Sequence, residues 1–599
     1  MSTQIEQSGK FALQSLSVKY LTQSVANNLI IILTVLFTVV TSWFMYFLVF
    51  GESTIGIDDA NIFKVYARNL ADGHGFVYNP GGERVEGFSS FLYTLAIAGV
   101  YKLTGNFDAP VLFLNLLFLC LITLLTLSIT TKAVSPHFNI SDKPSNYWRV
   151  GFLTVILIIL NPYFVLWTSI SQMDTGLWTL MILLNVWLLQ KTSSNPSNIL
   201  NILGSVIAIC MLIFTRPEGI ALGLVLIFLH CLTIIRSNIK QTEKIIYSIG
   251  IFLIPLLFTL TLTYFRLEYF GWPLPNTYYA KVSPDIIYRL GEGIRYFYIY
   301  ITNNLFILPI LMVILHSLAQ QLHLIKTSNK KNWLAIDIAN ISGLLSLLYI
   351  AGVIIKGGDH FAGGRFFQPV WPLLVIFVVT KLFNYYLKDK IKSWTTEVWI
   401  KFFLLTAAIL IIGHLPTQLR TLQRFGNFHY ELWIPESGRE TGALLNQMFS
   451  DNDRQPTIGV ITAGGIALTY QGEVYDLLGL NDTSIAHDGG QRKGMTNHAS
   501  LNPELVLKES PEILMPQVTN FQLLNQVDSP KELLLHNYLF AQQLLQNQLV
   551  RDQYRLAWLS PTKINPNLEQ SIEGVVVLGE NQWLDLIKQH NQVQVIELE

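Results

Sequence analysis

A pair of aspartates closely follows the first long apolar run of the chain, and this position suggests chemistry at a membrane surface. The run covers 28–50, and the sequence Ile57-Asp58-Asp59-Ala60 comes soon after it. A carboxylate partly removed from water becomes more basic, so it could take a proton from a sugar hydroxyl. Adjacent helical residues point about 100° apart, so one aspartate could act as the base while the other caps or orients. An N-cap role for Asp59 is the alternative.

Polar residues also follow this pair and begin later apolar runs. Asp174 starts such a run, where the helix dipole would favour it, although an idle charge at the edge of hydrocarbon is costly. Arg216 and Glu218 flank a proline between two apolar runs, and the alternative to ligand binding is that they pair with each other. Three further candidates lie in the first polar segment: Arg68, His74 and Glu86.

Two later connectors combine cations with aromatic residues or glycines. Tyr279 and Lys281 lie in Tyr278-Tyr279-Ala280-Lys281, which suits a sugar phosphate or lipid headgroup; an interfacial aromatic belt is the alternative. The loop 356–365 contains four glycines, whose N–H groups could cradle a phosphate unless the loop is a plain flexible turn. Its candidate ligands are Asp359, His360 and Arg365. If these groups lie at one membrane depth, the cations would suit an anionic lipid donor and a carboxylate would suit an acceptor hydroxyl, as its base.

The composition indicates a polytopic membrane protein. Of the 599 residues, 51% are hydrophobic and 13% are charged, with a mean hydropathy of +0.40. Soluble proteins carry roughly 25% charged residues. The formal net charge is zero, so no basic field suggests nucleic acid as a partner. The three cysteines lie in apolar runs, which favours a role as small buried hydrophobes over disulfides.

Eleven apolar runs are near the length needed to cross about 30 Å of hydrocarbon. The first is a signal anchor rather than a cleavable signal peptide. The predicted spans are 28–50, 109–131, 150–168, 173–190, 199–214, 218–235, 245–266, 302–325, 334–356, 366–387 and 398–416.

A twelfth run, 88–104, is shorter and diluted by Tyr and Gly. If it lies in the interface or re-enters, the Lys- and Arg-rich connectors all fall on one side, which the positive-inside rule makes cytoplasmic. The candidate site residues then share the outer side with the tail. We therefore expect a surface-lying or re-entrant helix at 88–104, within a first outer loop of 51–108.

The tail differs from the rest of the chain. From residue 417 the apolar runs stop and Asn, Gln, Asp and Glu become frequent. Strands are predicted at 457–462, 473–477, 574–578 and 593–598, with a helix at 530–546. The pair Gly464-Gly465 is weak evidence for a phosphate loop and more typical of a tight turn. We predict a transmembrane domain over 1–416 and a C-terminal soluble α/β domain over 417–599.

These motifs resemble the GT-C superfamily of polytopic glycosyltransferases, and most closely its bacterial terminal arabinofuranosyltransferase branch. The motifs that carry the resemblance are Asp58-Asp59-Ala60, Tyr66-Ala67-Arg68-Asn69-Leu70, Gly73-His74-Gly75, Asn79-Pro80, Glu83-Arg84-Val85-Glu86-Gly87-Phe88, Arg216-Pro217-Glu218-Gly219, Asn276-Thr277-Tyr278-Tyr279-Ala280-Lys281, Gly357-Gly358-Asp359, Gly364-Arg365-Phe366 and Asp476-Leu477-Leu478-Gly479-Leu480-Asn481-Asp482. Two places depart from that branch: Gln172 and Asp174 stand where Gly and Glu are expected, and His360 replaces a more apolar continuation.

The resemblance implies inverting transfer of a sugar such as arabinofuranose from a polyprenyl-phosphate donor, at the outer face of a bacterial inner membrane. Asp58 would be the general base, with Asp59 as second choice. Asp174 and Glu218 would orient hydroxyls, while cations hold the donor phosphate. No metal site is indicated by spacing, although a divalent cation is compatible with this chemistry. The acceptor is open between a surface glycan and a secreted protein such as a pilin.

Two functions from other classes compete with this one. A lipid-sugar flippase or transporter would place ionisable residues near the bilayer midplane and show repeated halves, neither of which is visible here. A polysaccharide ligase would carry its key residues in a late outer loop rather than directly after the first span.

Overall fold

The computed structural model shows a mostly helical protein with one small sheet near its C-terminus. The structure describes residues 29–598 except for 30, 51, 135–142, 328–336, 388–394, 396, 403, 407, 409–424, 451–453, 491, 495, 497, 499, 521–537, 562–572 and 590–592.

The membrane-domain helices are α1 (Ile31–Phe50), α2 (Asp58–Ala71), α3 (Phe91–Thr104), α4 (Asp108–Val134), α5 (Lys143–Ile159), α6 (Pro162–Val165), α7 (Thr175–Ser194), α8 (Ile199–Thr215), α9 (Gly219–Arg236), α10 (Gln241–Phe270), α11 (Asn276–Lys281), α12 (Ile286–Asn303), α13 (Ile307–Thr327), α14 (Ile338–Lys356), α15 (Trp371–Lys381) and α16 (397–402).

Within the described part of the chain, six helices are long and apolar enough to cross a membrane, or up to eight if each bent pair counts as one span. This supports a polytopic membrane protein, but the predicted number of eleven spans is not confirmed. The predicted span 150–168 is bent by 74° between Trp148–Ile159 and Pro162–Ile170. A bend of 109° separates Ile286–Asn303 from Ile307–His323, at the start of the predicted span 302–325. The predicted span 398–416 lies mostly outside the described residues.

The ambiguous run 88–104 forms α3, a helix of 14 residues. At 1.5 Å per residue it reaches about 21 Å, which is short of the roughly 30 Å of hydrocarbon. Ser90 accepts a hydrogen bond from the Tyr93 amide at its start, and Gly105 ends it with a φ of +67°. A short capped helix agrees with the expectation of an element that does not span.

The tail contains a mixed sheet of six strands in the order β2-β1-β3-β5-β4-β6. The strands are β1 (Ile458–Val460), β2 (Val474–Asp476), β3 (Ile513–Asn520), β4 (Tyr554–Ser560), β5 (Glu573–Glu580) and β6 (Gln594–Glu597). Strand β1 pairs in parallel with β2 and β3, while the other pairs are antiparallel. The tail helices are α17 (Phe425–Met448), α18 (Gly465–Thr469), α19 (Thr483–Ala486), α20 (Pro503–Glu509), α21 (Tyr538–Leu545), α22 (Gln548–Gln553) and α23 (Asn581–Gln589).

The four predicted strands correspond to β1, β2, β5 and β6, whereas β3 and β4 were not predicted. The mixed hydrophobic and polar sequence of β3, Ile-Leu-Met-Pro-Gln-Val-Thr-Asn, hides its strand pattern. Only the end of the predicted helix 530–546 falls within the described residues, where it appears as α21.

Helix α18 of the tail packs directly on α2 of the first loop. A Cβ at Gly464 would lie 2.0 Å from the Asp58 carbonyl oxygen, and one at Gly465 would lie 2.3 Å from the Pro435 carbonyl oxygen. The amides of the two glycines donate to the Asp58 carboxylate at 2.9 and 2.7 Å. The glycine pair lies where the chain passes from β1 into α18, as expected for a tight turn, and it also permits close packing and binds a carboxylate of the chain itself.

Two arginines extend this contact between first loop and tail. Arg68 donates to the carbonyls of Leu468 and Ala467 at 2.8 and 3.1 Å, at the opposite end of α18 from Asp58. Arg439 on α17 forms two hydrogen bonds of 2.9 Å with the Asp108 carboxylate. One continuous hydrophobic core includes residues of both the membrane domain and the tail. The tail is thus bound to α2 at several points.

We expect Arg439→Met to loosen the tail from the first loop, because it leaves the partly buried Asp108 without its bidentate partner. Loss of hydrogen bonds to a charged group should cost about 2–3 kcal/mol. The thermal midpoint in detergent should fall, and amide exchange in α2 and α18 should rise. The matched control is Arg454→Met, which removes an exposed arginine paired with Glu512. Equal exchange rates in wild type and Arg439→Met would contradict this account of docking.

Candidate active site

A cavity of about 380 Å³ lies between α2, α11, α14 and the connectors that precede α7 and α9. We call it cavity one. Its charged lining consists of Asp59, Asp174, Arg216, Glu218, Lys281, Arg289, Lys356 and Arg365. Five cations against three carboxylates leave an excess of positive charge. Apolar side chains such as Phe63, Phe88 and Ile355 form the rest of the wall, so the cavity suits an anionic group attached to an apolar one.

Asp59 is the acidic centre of one half of cavity one. Its Oδ2 lies 3.4 Å from the Lys281 Nζ and 3.3 Å from the Arg365 Nη1. Burial would raise the pKa of Asp59, but the charges of Lys281 and Arg365 outweigh burial and hold this pKa below its usual range. The carboxylate is therefore ionised, and two cations stand beside it.

A second ionic network occupies the other half of cavity one. Arg216 donates to both oxygens of the buried Asp174 at 3.0 Å, and its Nε lies 3.4 Å from Glu218. Lys356 reaches the other Glu218 oxygen at 2.5 Å. Arg216 and Glu218 do pair, as the alternative supposed, but they do so inside a larger network. Two carboxylates and two cations balance within this network, so the excess positive charge of cavity one comes from Lys281, Arg289 and Arg365 beside the single carboxylate of Asp59.

Backbone strain at Gln172 helps to place Asp174. Gln172 has a φ of +56°, a conformation that favours glycine, and its carbonyl accepts a hydrogen bond from the Tyr93 hydroxyl at 2.6 Å. Its amide nitrogen Nε2 also donates to the Thr54 carbonyl at 2.5 Å. These contacts tie the segment before α7 to the first loop. The positive φ explains why a glycine was expected at this position.

Asp58, the first choice of base from the sequence, lies outside cavity one. Both of its oxygens accept hydrogen bonds from the Gly464 and Gly465 amides. Burial raises its pKa to about 6, although these two bonds lower it. The expected divergence of neighbouring helical residues is seen here, because Asp58 faces the tail while Asp59 faces the cavity. Ile57, rather than either aspartate, is the N-cap of α2.

Four other candidates also lie outside the two cavities, and three of them make contacts within the protein. Arg68 binds the end of α18, and Glu86 forms a buried ion pair with Arg266 of α10 at 2.9 Å. His74 is exposed in the loop after α2. Tyr279 packs against His487 of the tail, with ring centroids 4.2 Å apart. The structure gives no reason to place these four side chains against a ligand in cavity one.

Asp359 and His360 line a second cavity of about 270 Å³, which we call cavity two. Asp359 accepts a hydrogen bond of 2.6 Å from the Arg365 Nε. Arg365 is only 4% exposed and also contacts Asp59, so its guanidinium lies between the two cavities. The glycines of this loop do not form an open cradle. A Cβ at Gly363 would lie 2.0 Å from the Tyr163 ring, and one at Gly364 would lie 2.5 Å from the Tyr300 ring.

The sequence analysis missed Arg289 of cavity one and Glu431 of cavity two. These residues lie in α12 and α17, where nothing in the sequence distinguishes them. Burial raises the pKa of Glu431 to about 8, and the nearby charge of Asp59 adds to this effect. Among the described residues, no group of three or more His, Cys, Asp or Glu side chains could hold a metal ion. No residues are therefore assigned to a divalent cation.

No protein-family model and no curated protein matches the sequence. Several solved structures are similar to it, among them two of one protein. The structure of ArnT from Cupriavidus metallidurans bound to undecaprenyl phosphate is 12% identical, with 91% of this chain and 97% of that chain covered and a TM-score of 0.44. The apo state of the same protein is 13% identical, with 92% and 98% covered and a TM-score of 0.47. Similarity this distant assigns no activity to the present chain.

The raised pKa of Glu431 predicts a pH dependence of stability. Its ordinary value is 4.5 and its value in the folded protein is about 8, so the folded state binds more protons than the unfolded state between these pH values. Stability contributed by the neutral acid is therefore lost as the pH rises through this window. We expect Glu431→Gln, which stays neutral, to gain in thermal midpoint relative to wild type between about pH 5 and 8. A difference that does not change with pH would contradict a neutral, buried Glu431.

Proposed function

We propose that the protein is a GT-C-type glycosyltransferase, which moves a sugar from a polyprenyl-phosphate donor to an acceptor hydroxyl. The observation that carries the proposal is cavity one, where an ionised Asp59 lies beside Lys281 and Arg365 within an apolar wall. A phosphodiester headgroup fits the excess positive charge, and a lipid tail fits the apolar lining. Part of the lining is exposed at the protein surface, including Ile355 and Tyr278, where a membrane lipid could enter.

Asp59 is the proposed general base. Entry of a phosphate gives Lys281 and Arg365 a second anion to contact, which weakens their hold on Asp59 and raises its basicity. Asp59 then removes the proton of the acceptor hydroxyl as the oxygen attacks the anomeric carbon from the face opposite the phosphate. The bond from this carbon to the phosphate oxygen breaks, and the configuration is inverted. The charge that develops on the leaving phosphate is stabilised by the cations, so no acid is needed.

The finer assignments rest on fewer observations. Arabinofuranose as the sugar follows from the sequence resemblance of the first loop alone. An outer-face active site in a bacterial inner membrane follows from the distribution of Lys and Arg among the connectors. Polyprenyl phosphate as the lipid is supported by the charge and the apolar wall of cavity one. The ArnT structure bound to undecaprenyl phosphate shows that this lipid can be used as a practical probe.

Asp59→Asn should reduce transfer by about 10³-fold, within the range for loss of a general base, while undecaprenyl phosphate still binds. The matched control is Asp58→Asn, which changes the neighbouring carboxylate that faces the tail. Asp58→Asn should lower the thermal midpoint clearly, whereas turnover per folded molecule should change little. Transfer would be measured with radiolabelled polyprenyl-phosphate arabinofuranose and with other sugar donors. If Asp58→Asn abolishes transfer in folded protein and Asp59→Asn does not, Asp58 is the base after all.

Lys281→Met should weaken binding of undecaprenyl phosphate by about tenfold, the loss expected for one charge-assisted hydrogen bond. Native mass spectrometry of the protein in nanodiscs would measure it. The control is Lys493→Met, since Lys493 is 45% exposed and pairs with Asp285 outside cavity one. Equal losses in the two variants would show a diffuse surface attraction rather than a phosphate site, and an unchanged affinity in Lys281→Met would remove this residue from the site.

A further inference from the structure

Cavity two differs from cavity one in the chemistry of its wall. Among its described lining residues there is no lysine or arginine. Aromatic rings dominate instead: Tyr163, Trp167, Tyr296, Tyr300 and Phe361. The polar groups are the amides Asn303 and Asn304, the acids Asp359 and Glu431, and the imidazole of His360. This wall suits a neutral ligand, because its described residues include no lysine or arginine that could pair with the charge of an anion.

The aromatic rings of cavity two are held rigidly. Tyr296 and Tyr300 pack against the ring of Phe367, with centroids 5.0 and 4.7 Å apart. The indole N–H of Trp167 donates to the Ala362 carbonyl at 3.1 Å. Fixed aromatic faces beside amide and carboxyl groups suit a sugar ring, whose C–H faces pack on aromatic rings while its hydroxyls need donors and acceptors.

A second depression adjoins cavity two. This depression of about 320 Å³ shares Tyr296, Ile299, Asp359 and His360 with cavity two. Its outer end is formed by Glu292 and Arg295 of α12 and by Gly494 and Thr496 of the tail. A ligand longer than one sugar ring could therefore continue from cavity two towards the tail.

Arg365 forms ion pairs with one acid of each cavity. It lies 3.3 Å from Asp59 in cavity one and 2.6 Å from Asp359 in cavity two. Glu431, at the wall of cavity two, is close enough to Asp59 for the charge of Asp59 to affect it. A hydroxyl bound at this end of cavity two would thus lie beside Arg365, the cation that also contacts Asp59.

We propose that cavity two binds the acceptor and that the acceptor is a neutral carbohydrate, with Glu431 as a positioning residue for its hydroxyls. This inference rests on the proposed function and decides between the two acceptor classes in favour of a glycan over a protein. The transfer is balanced: the acceptor oxygen forms the new bond to the anomeric carbon, its proton passes to Asp59, and the polyprenyl phosphate leaves with the bonding electrons.

Two cavity-filling variants test this assignment. Ala362→Phe adds a ring to cavity two without removing a polar side chain, since Ala362 contributes its carbonyl to Trp167. Gly352→Phe is the matched control in cavity one, because a Cβ at Gly352 meets open space. Full-length protein in nanodiscs would be titrated with undecaprenyl phosphate by native mass spectrometry. Methyl glycosides of glucose, galactose, mannose and arabinofuranose would be tested by saturation-transfer NMR, with glucuronic acid as the charged comparison.

We expect a neutral glycoside to bind, with affinity reduced about tenfold or more in Ala362→Phe and undecaprenyl phosphate binding unchanged. Gly352→Phe should weaken binding of undecaprenyl phosphate and leave binding of the glycoside unchanged. Glu431→Gln should weaken the glycoside without affecting the lipid, which a role in folding alone would not predict. Glycoside binding that is absent, insensitive to Ala362→Phe, or weaker than that of glucuronic acid would overturn the acceptor assignment. If the wild-type protein does not bind undecaprenyl phosphate, the proposed function itself is overturned. Failure of the acceptor assignment and failure of the proposed function are therefore distinguishable.

Discussion

The two cavities depend on one buried cation, Arg365. Its guanidinium is 4% exposed and contacts carboxylates on both sides, Asp59 and Asp359. Aromatic rings surround it as well, with Phe361 at 4.3 Å and Phe366 at 4.8 Å. A buried charge is tolerated only when it is paired and hydrogen-bonded. Arg365 is paired with two acids, and this pairing places one carboxylate in each cavity.

Helix α2 contributes to the site through the divergence of two adjacent side chains. Asp58 binds the amides of the tail glycines, and Asp59 faces cavity one. Because both residues belong to the first turn of the same helix, docking of the tail fixes the direction of Asp59. Arg68 at the other end of α2 and Arg439 of α17 oppose rotation of this helix. The tail is thus part of the framework of the candidate site, and its Glu431 also lines cavity two.

The pairing of charges within cavity one has a functional consequence. Every carboxylate already has a cationic partner, so the resting cavity avoids unpaired acids while it keeps an excess of positive charge. A lipid phosphate would redistribute these contacts rather than add a charge to a neutral site. This differs from a simple carboxylate made basic by burial, since Asp59 has a pKa held low by Lys281 and Arg365.

Several features could be predicted from the sequence because they depend on local pattern. Apolar run lengths indicated a membrane protein, and α3 was recognised as too short to cross. Asp174, Arg216 and Glu218 were singled out because charged residues are unusual at the ends of apolar runs. Lys281 and Arg365 were singled out as cations beside aromatic residues or glycines in connectors, and the structure brings all five together in one cavity. The predicted number of eleven spans is not confirmed, and run length alone does not show the bends of 74° and 109°.

Sequence by itself determined the class of the protein and the set of charged residues from which the site is built, since hydropathy and residue type are properties of short segments. Tertiary structure decided which of Asp58 and Asp59 faces the cavity, because that choice depends on where the Gly464 and Gly465 amides lie, some 400 residues away along the chain. It also decided that Glu431 belongs to the site. Neither fact could be read locally, because each arises from contacts between segments that only the folded chain brings together.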